Sequence, residues 1–394
     1  MKDKTNKLIK QLESRKETWL EGIASTREMV LSNLAMISQI PAVTFKEGKR
    51  TSMLIERYIA SGISEPVIDE VNNAIAVIPG TEGDKNILIF THIDNQPDMN
   101  VDNVLSITKD KVIGRGVPED TMALATMITL PDIINRLKLK FESNIILLAY
   151  SRYHDRGDLE GIRYFIQGNK KKLTHSINLV GTPLGTVNYF TLSRVRCDIS
   201  CNIDSEPTTP WGKSINTSAI FVLNEIITRI CSIPLPQQPK TVINFGIIQG
   251  GERYSVISTH ADLKLQVLSE DDTIMDNVIE EINDTCIDIS AKYDVSVLCN
   301  FFGRHRAGGL SYSHPLVKSA VKIVGHLGYR PIMTCINTEL AVPLSYSIPS
   351  ISLGITTGKL SSGAQGRIDI APIPTGILQL MMILYAIDRG YCEN

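Results

Sequence analysis

One stretch constrains the fold of this chain more than any other. Between Arg194 and Arg304 the pattern gives a strand from Arg194, a helix over 214–231, strands over 241–249 and 261–268, a helix over 273–292 and a strand over 295–301. That βαββαβ order is the split motif of ferredoxin-like folds. Its first strand alternates Val195, Cys197, Ile199, Cys201 and Ile203, so one face is meant for burial. The flanking sequence has a different grammar. Apolar runs at Ala74–Ile78, Asn86–Phe90, Asn144–Leu148, Ile177–Val180 and Ser350–Leu353 are short and do not alternate strictly. Such runs suit strands covered on both faces. Helical spacing fills 4–38 and 51–61, then 121–138, 159–172, 315–327 and 373–388. Strands alternating with helices specify an α/β layer architecture. The expectation is an α/β domain over 1–193 and 305–394, a mixed sheet with helices on both faces, interrupted by an α+β domain over 194–304.

Composition narrows the function classes. The chain has 394 residues, is 43% hydrophobic and carries a formal net charge of −2. That supports a sizeable core and gives no basic surplus for nucleic acid. The opening MKDKTNKLIKQLESRK has no apolar signal core, and no run reaches the ~18 apolar residues of a membrane span. A cytoplasmic location is expected, with no membrane partner. The seven cysteines are scattered without a Cys-x-x-Cys pair and read as small buried hydrophobes.

In open α/β sheets, sites form beyond the carboxyl ends of strands. Polar residues gather at such ends here. Thr91-His92-Ile93-Asp94 follows one apolar run, and Tyr150 to Gly157, which includes His154 and Asp155, follows another. Gly181-Thr182-Pro183 and Gly354 to Gly358 follow two more. The stretch Gly114-Arg115-Gly116-Val117-Pro118-Glu119-Asp120-Thr121 opens a helix, with glycines for a tight turn and Asp120 or Thr121 as its cap. Each cluster also has a plain structural reading. His-x-Asp can be a local hydrogen bond, Glu119-Asp120 can serve the helix dipole, and His154-Asp155-Arg156 can be a self-paired loop.

Taken together, these stretches resemble the aminoacylase/carboxypeptidase-type di-zinc metallopeptidases over about 70–385. The strand ending in His-x-Asp, the Gly-Arg-Gly loop and the glycine-rich Gly250 to Ile257 of the insert carry the resemblance, as does Asn337-Thr338-Glu339-Leu340 at a later turn. It implies that His92 binds a metal ion, that Asp94 orients His92, and that a carboxylate of the loop bridges two ions: Glu119 by strict spacing, Asp120 one place on. The family's next strand end carries Glu-Glu, a general base and a ligand. This chain has Ser151-Arg152-Tyr153 there, and a one-residue shift brings in His154 as the catalytic candidate and Asp155 as the ligand. Thr182 stands where the family has a carboxylate, and Ser362 or Gln365 near its final histidine.

The resemblance therefore implies hydrolysis of a peptide or N-acyl amide bond at an incomplete or altered centre. Zinc is the expected metal, at most one weakly held ion, because catalytic zinc sites keep three protein ligands. Asp94, Glu339 and the residues above are the spare ligands for a rearranged centre. The partners implied are a small peptide or N-acyl amino acid and a second copy docked through the insert as a lid. The alternative is a non-catalytic binding or assembly protein that retains the fold. Arg304-His305-Arg306 reads as a solvated hinge rather than a carboxylate clamp.

Overall fold

A computed structural model of the chain describes residues 2–83, 85–95, 105–204, 218–334, 339–359 and 366–393, with side chains from residue 6 onward. Asn337, Thr338, Ser362 and Gln365, named above, lie outside the described residues. The chain forms two compact units, 1–190 with 309–394, and 191–308.

The larger unit is built on a seven-stranded sheet in the spatial order Val67–Ile68, Ala74–Ile78, Asn144–Tyr150, Asn86–His92, Leu173–Val180, Ser350–Gly354, Val187–Asn188. The three middle pairings, from Asn144–Tyr150 to Ser350–Gly354, are parallel, and Ala74–Ile78 and Val187–Asn188 add antiparallel strands outside them. The non-alternating runs have the expected cause. In Asn86–His92 and Asn144–Tyr150 every residue after the first is buried. Ile87 and Ile89 join a core with Leu8, Leu12, Leu34, Met127 and Leu380, whereas Leu88 and Phe90 face Ile162, Phe165 and Ile166. Opposite faces of one strand thus feed two helix layers.

The amino-terminal helical stretch is two helices, Lys2–Ala24 and Arg27–Gln39, broken where Thr26 bonds the Ile23 carbonyl by both its N–H, at 2.9 Å, and its hydroxyl, at 2.7 Å. The helix Ile373–Asp388 lies close against the sheet because of Gly376. A Cβ there would sit 1.7 Å from the carbonyl oxygen of Ile355.

The smaller unit is a four-stranded antiparallel sheet in the order Thr241–Gly250, His260–Ser269, Ser193–Asn202, Ser296–His305. Helices Ala219–Cys231 and Asp272–Tyr293 supply Val222, Leu223, Ile226, Val278 and Ile282 to a core with Val195, Cys197, Ile199 and Cys201. The alternation of the first strand is therefore a one-sided sheet packed on helices. Asp271 fixes the start of the long helix, accepting from the amides of Thr273 at 2.8 Å and Ile274 at 3.0 Å. The fold is the α/β sheet domain with a ferredoxin-like insert that the order of elements specifies. Among the described residues, no helix is long and apolar enough to cross a membrane.

Candidate functional site

His92 is the last residue of its strand and is 8% exposed. Its Nδ1 lies 2.7 Å from the backbone oxygen of Asp94, so Nδ1 carries a proton and donates it. The Asp94 carboxylate is farther off, 3.9 Å from the same nitrogen. The orienting group for His92 is thus the Asp94 carbonyl, where the resemblance implies the carboxylate. Burial foremost, then the neighbouring His154, pulls the His92 pKa down to about 4, so the ring is neutral at pH 7 with its lone pair on Nε2. The Tyr153 ring stacks on the imidazole at 4.2 Å and 19°, and the His154 ring stands edge-on at 5.3 Å.

The Asp94 carboxylate is fully buried and well supplied with donors. Thr44 donates its hydroxyl at 2.7 Å, and the backbone amides of Tyr153, at 3.0 and 3.1 Å, and His154, at 3.1 Å, also donate. Asp94 therefore shapes the loop that carries His154. The same loop is held by Glu47, which is 2% exposed and accepts the Arg152 amide at 2.9 Å. Burial chiefly, with the Asp94 charge nearby, raises the Glu47 carboxyl. Arg152 takes up a φ of 59° in this turn and pairs with Glu160 at 2.7 Å.

The Gly-Arg-Gly loop delivers its two acidic residues to different places. Gly116 adopts φ 67°, and a Cβ there would come within 2.9 Å of Asp120 Oδ1, so the first turn needs glycine. The next residues, Val117–Thr121, form a wide helical turn that Glu119 interrupts with φ −107° and ψ −109°. Glu119 is exposed by surface area, yet its carboxyl is raised by the desolvation that the surrounding loop imposes. Asp120 is 1% exposed and does not cap the helix that starts at Met122. Its Oδ2 accepts from Arg50 Nη1 at 3.2 Å.

Arg50 is the residue that the sequence reading missed. It lies in the helix Gly48–Ala60 and is 1% exposed. Its guanidinium donates to the Ile40 carbonyl from Nε at 3.0 Å and Nη2 at 2.6 Å, and to the Ile93 carbonyl at 2.7 Å. Burial weakens the hold of Arg50 on its proton and pushes the Asp120 carboxyl up, and the pairing opposes both shifts. In sequence, Lys49-Arg50 is one more charged pair on an amphipathic helix, about 70 positions from its carboxylate, so no local pattern marks it.

The remaining candidates are dispersed. Asp155 is exposed at the head of the short turn Asp155–Gly157, and His154 is half-buried just before it. Thr182 donates to the Pro118 carbonyl at 3.1 Å, while the Gly181 amide donates to the Glu119 carbonyl at 2.8 Å. Glu339 is buried in the larger unit. Two of the carboxylates that the resemblance offers to a metal centre are already engaged by the protein. Asp120 is paired to an internal cation and Asp94 accepts four donor contacts, while the tyrosine stacked on His92 leaves the in-plane Nε2 lone pair of that ring as it is. Among the described residues, no three His, Cys, Asp or Glu side chains come together as a metal-ion group. A cavity of about 320 Å³ belongs to the smaller unit, lined by Gly250, Glu252, Ser258, His260 and Asp262, and includes none of the residues above.

The fold is similar to that of several solved structures. It resembles the yeast dipeptidase Dug1p of Saccharomyces cerevisiae at 14% identity and TM-score 0.78, covering 95% of this chain and 98% of that one. Human carnosine dipeptidase 1 matches at 10% identity and TM-score 0.75, over 95% and 99% of the two chains. The YXEP protein of Bacillus subtilis, described as a dinuclear metal-binding peptidase of the M20 family, matches at 14% identity and TM-score 0.65, over 93% and 99%. At these identities the likeness is one of fold. No family model and no curated protein matches the sequence.

Proposed function

We propose that this chain is a peptidase-fold protein with an altered centre, which binds a small peptide or N-acyl amino acid and does not hydrolyse it through a pair of zinc ions. The observation that carries the reading is the buried Arg50–Asp120 pair. A bridging carboxylate must meet two dications. Here Asp120, the alternative to Glu119 as that carboxylate, already meets a guanidinium that cannot be deprotonated at neutral pH. A dication beside that guanidinium would face repulsion and the cost of losing its water. The ligand class rests on the dipeptidases among the fold neighbours. A homodimer through the ferredoxin-like unit belongs to the same proposal, and sedimentation velocity tests it.

The deciding experiment takes the full chain purified in zinc-containing buffer. Metal is counted by plasma mass spectrometry, dipeptides and N-acyl amino acids are assayed for cleavage, and the same compounds are titrated calorimetrically. The expected result is heat of binding without turnover and without two tightly held ions. Two zinc ions per chain, with cleavage abolished by a chelator, would overturn it.

One observation favours a second reading, a hydrolase with a single ion. Neutral His92 presents Nε2 as a lone pair, and His154 stands beside it at 5.3 Å between ring centres. That reading requires one zinc per chain, lost together with cleavage in His92→Ala.

A further inference from the structure

The smaller unit holds a group of thiols that the proposed function does not use. Cys197 lies on the central strand Ser193–Asn202, and Cys299 on its neighbour Ser296–His305 at the edge of the sheet. The register pairs Ile199 with Cys299 and Cys197 with Phe301, so the two cysteines are diagonal neighbours on the face that packs against the helices. Their sulfurs are 3.3 Å apart. Cys286, from the helix Asp272–Tyr293, belongs to the same core cluster as Cys197.

The plain reading of buried cysteines as small hydrophobes suffices for Cys201, which shares this face and is fully buried. It does not suffice for Cys197 and Cys299. Apolar packing has no need to bring sulfurs together, and here the Cys197 and Cys299 sulfurs touch. Cys299 is also the member that solvent reaches, being half-buried where Cys197 and Cys286 are buried. The trio is not a metal-ion group. The contact with Cys197 pulls the Cys299 thiol down while pushing the Cys197 thiol up. Of the two sulfurs in contact, Cys299 is therefore the one that an oxidant in solution reaches first.

We propose that Cys299 is an oxidant-modified thiol, with Cys197 as its resolving partner, and that a peroxide converts the pair into a disulfide within the chain. In the first step the Cys299 thiolate attacks hydrogen peroxide. The O–O bond breaks, an S–O bond forms, and hydroxide leaves, giving the sulfenic acid. In the second step the Cys197 sulfur attacks the sulfenic sulfur. The S–S bond forms, the S–O bond breaks, and the Cys197 proton leaves with the hydroxyl as water. The two sulfurs together lose two electrons and the peroxide gains them. The sulfurs close from 3.3 Å to the ~2.05 Å of a disulfide, at a diagonal position of the edge strand pair.

The test treats the reduced full chain with hydrogen peroxide, blocks residual thiols with an alkylating agent and maps peptides by mass spectrometry without reduction. The expected product is a Cys197–Cys299 linked peptide, lighter by two hydrogens, regenerated by a thiol reductant and absent from Cys299→Ser. In Cys197→Ser the expected product is a dimedone adduct at Cys299. If that variant fails to fold, the wild-type linkage map decides alone. Exposed Cys231, which stands outside the group, is the internal comparison. Oxidation of Cys231 with Cys197 and Cys299 left unlinked overturns the proposal. A Cys286–Cys299 link, or a link between two chains, overturns it as well.

Discussion

Replacing Arg50 with methionine removes the charge and keeps much of the side-chain volume. The ion pair has almost no solvent access, 1% for the Arg50 side chain and 0% for Asp120. Removing one partner of such a pair costs about 3–5 kcal/mol, because the remaining charge is stranded. The carbonyls of Ile40 and Ile93 also lose their donors, at roughly 1–3 kcal/mol for each buried acceptor left unpaired. Asp120 escapes part of this by taking up a proton, the direction in which burial already pushes its carboxyl. The expected cost for Arg50→Met at pH 7 is therefore about 4 kcal/mol, within the range for a broken buried pair. Asp120→Asn, which keeps an acceptor for Arg50, should cost about 2 kcal/mol. The double variant should cost about as much as Arg50→Met alone, a coupling of about 2 kcal/mol. The assay is urea unfolding in a Trp211→Phe background, where Trp19, 4% exposed in the larger unit, is the sole tryptophan reporter. Additive single costs would refute the claim that these two residues act as one charge-coupled unit. So would an Arg50→Met cost under ~1 kcal/mol, the value of an exposed pair.

Three further outcomes follow from the same geometry. His175 is 4% exposed, and burial depresses its pKa to about 4 from an ordinary 6.5, so its stabilising contribution is full above pH 6.5 and is lost as pH falls toward 4. That window should cost up to about 3 kcal/mol, and urea midpoints measured across it should fall less steeply in His175→Gln. Gly376→Ala forces a methyl group into the Ile355 carbonyl and should cost about 3 kcal/mol or more, read as a lowered Trp19 unfolding midpoint; an unchanged midpoint would mean the helix does not approach the sheet this closely. Dialysis against a chelator should leave the urea midpoint of the larger unit unchanged, because Arg50 balances the charge of Asp120 and the donors of Thr44 and two backbone amides hold Asp94; a clear drop would reveal a bound ion that stabilises the fold.

What the sequence by itself determined is the architecture. Strand and helix periods are local properties, and the doubly buried runs Asn86–His92 and Asn144–Tyr150 and the one-sided alternation of Val195 to Cys201 each announce the layer they belong to. The placement of His92 at a strand end, the glycine turn at Gly116 and the ferredoxin-like order of the insert were legible for the same reason. The electrostatic state of the site was not. Whether Asp120 is a helix cap, a ligand or half of an ion pair depends on Arg50, which reaches it from a different helix. The part played by the Asp94 carboxylate depends on amides from the loop after a neighbouring strand. The thiol group likewise required the register that sets Cys197 diagonal to Cys299 and the helix that brings Cys286 into the same core. A side chain's charge and reactivity are set by what lies within a few ångströms, and those neighbours come from distant parts of the chain, where no period or spacing in the sequence records them.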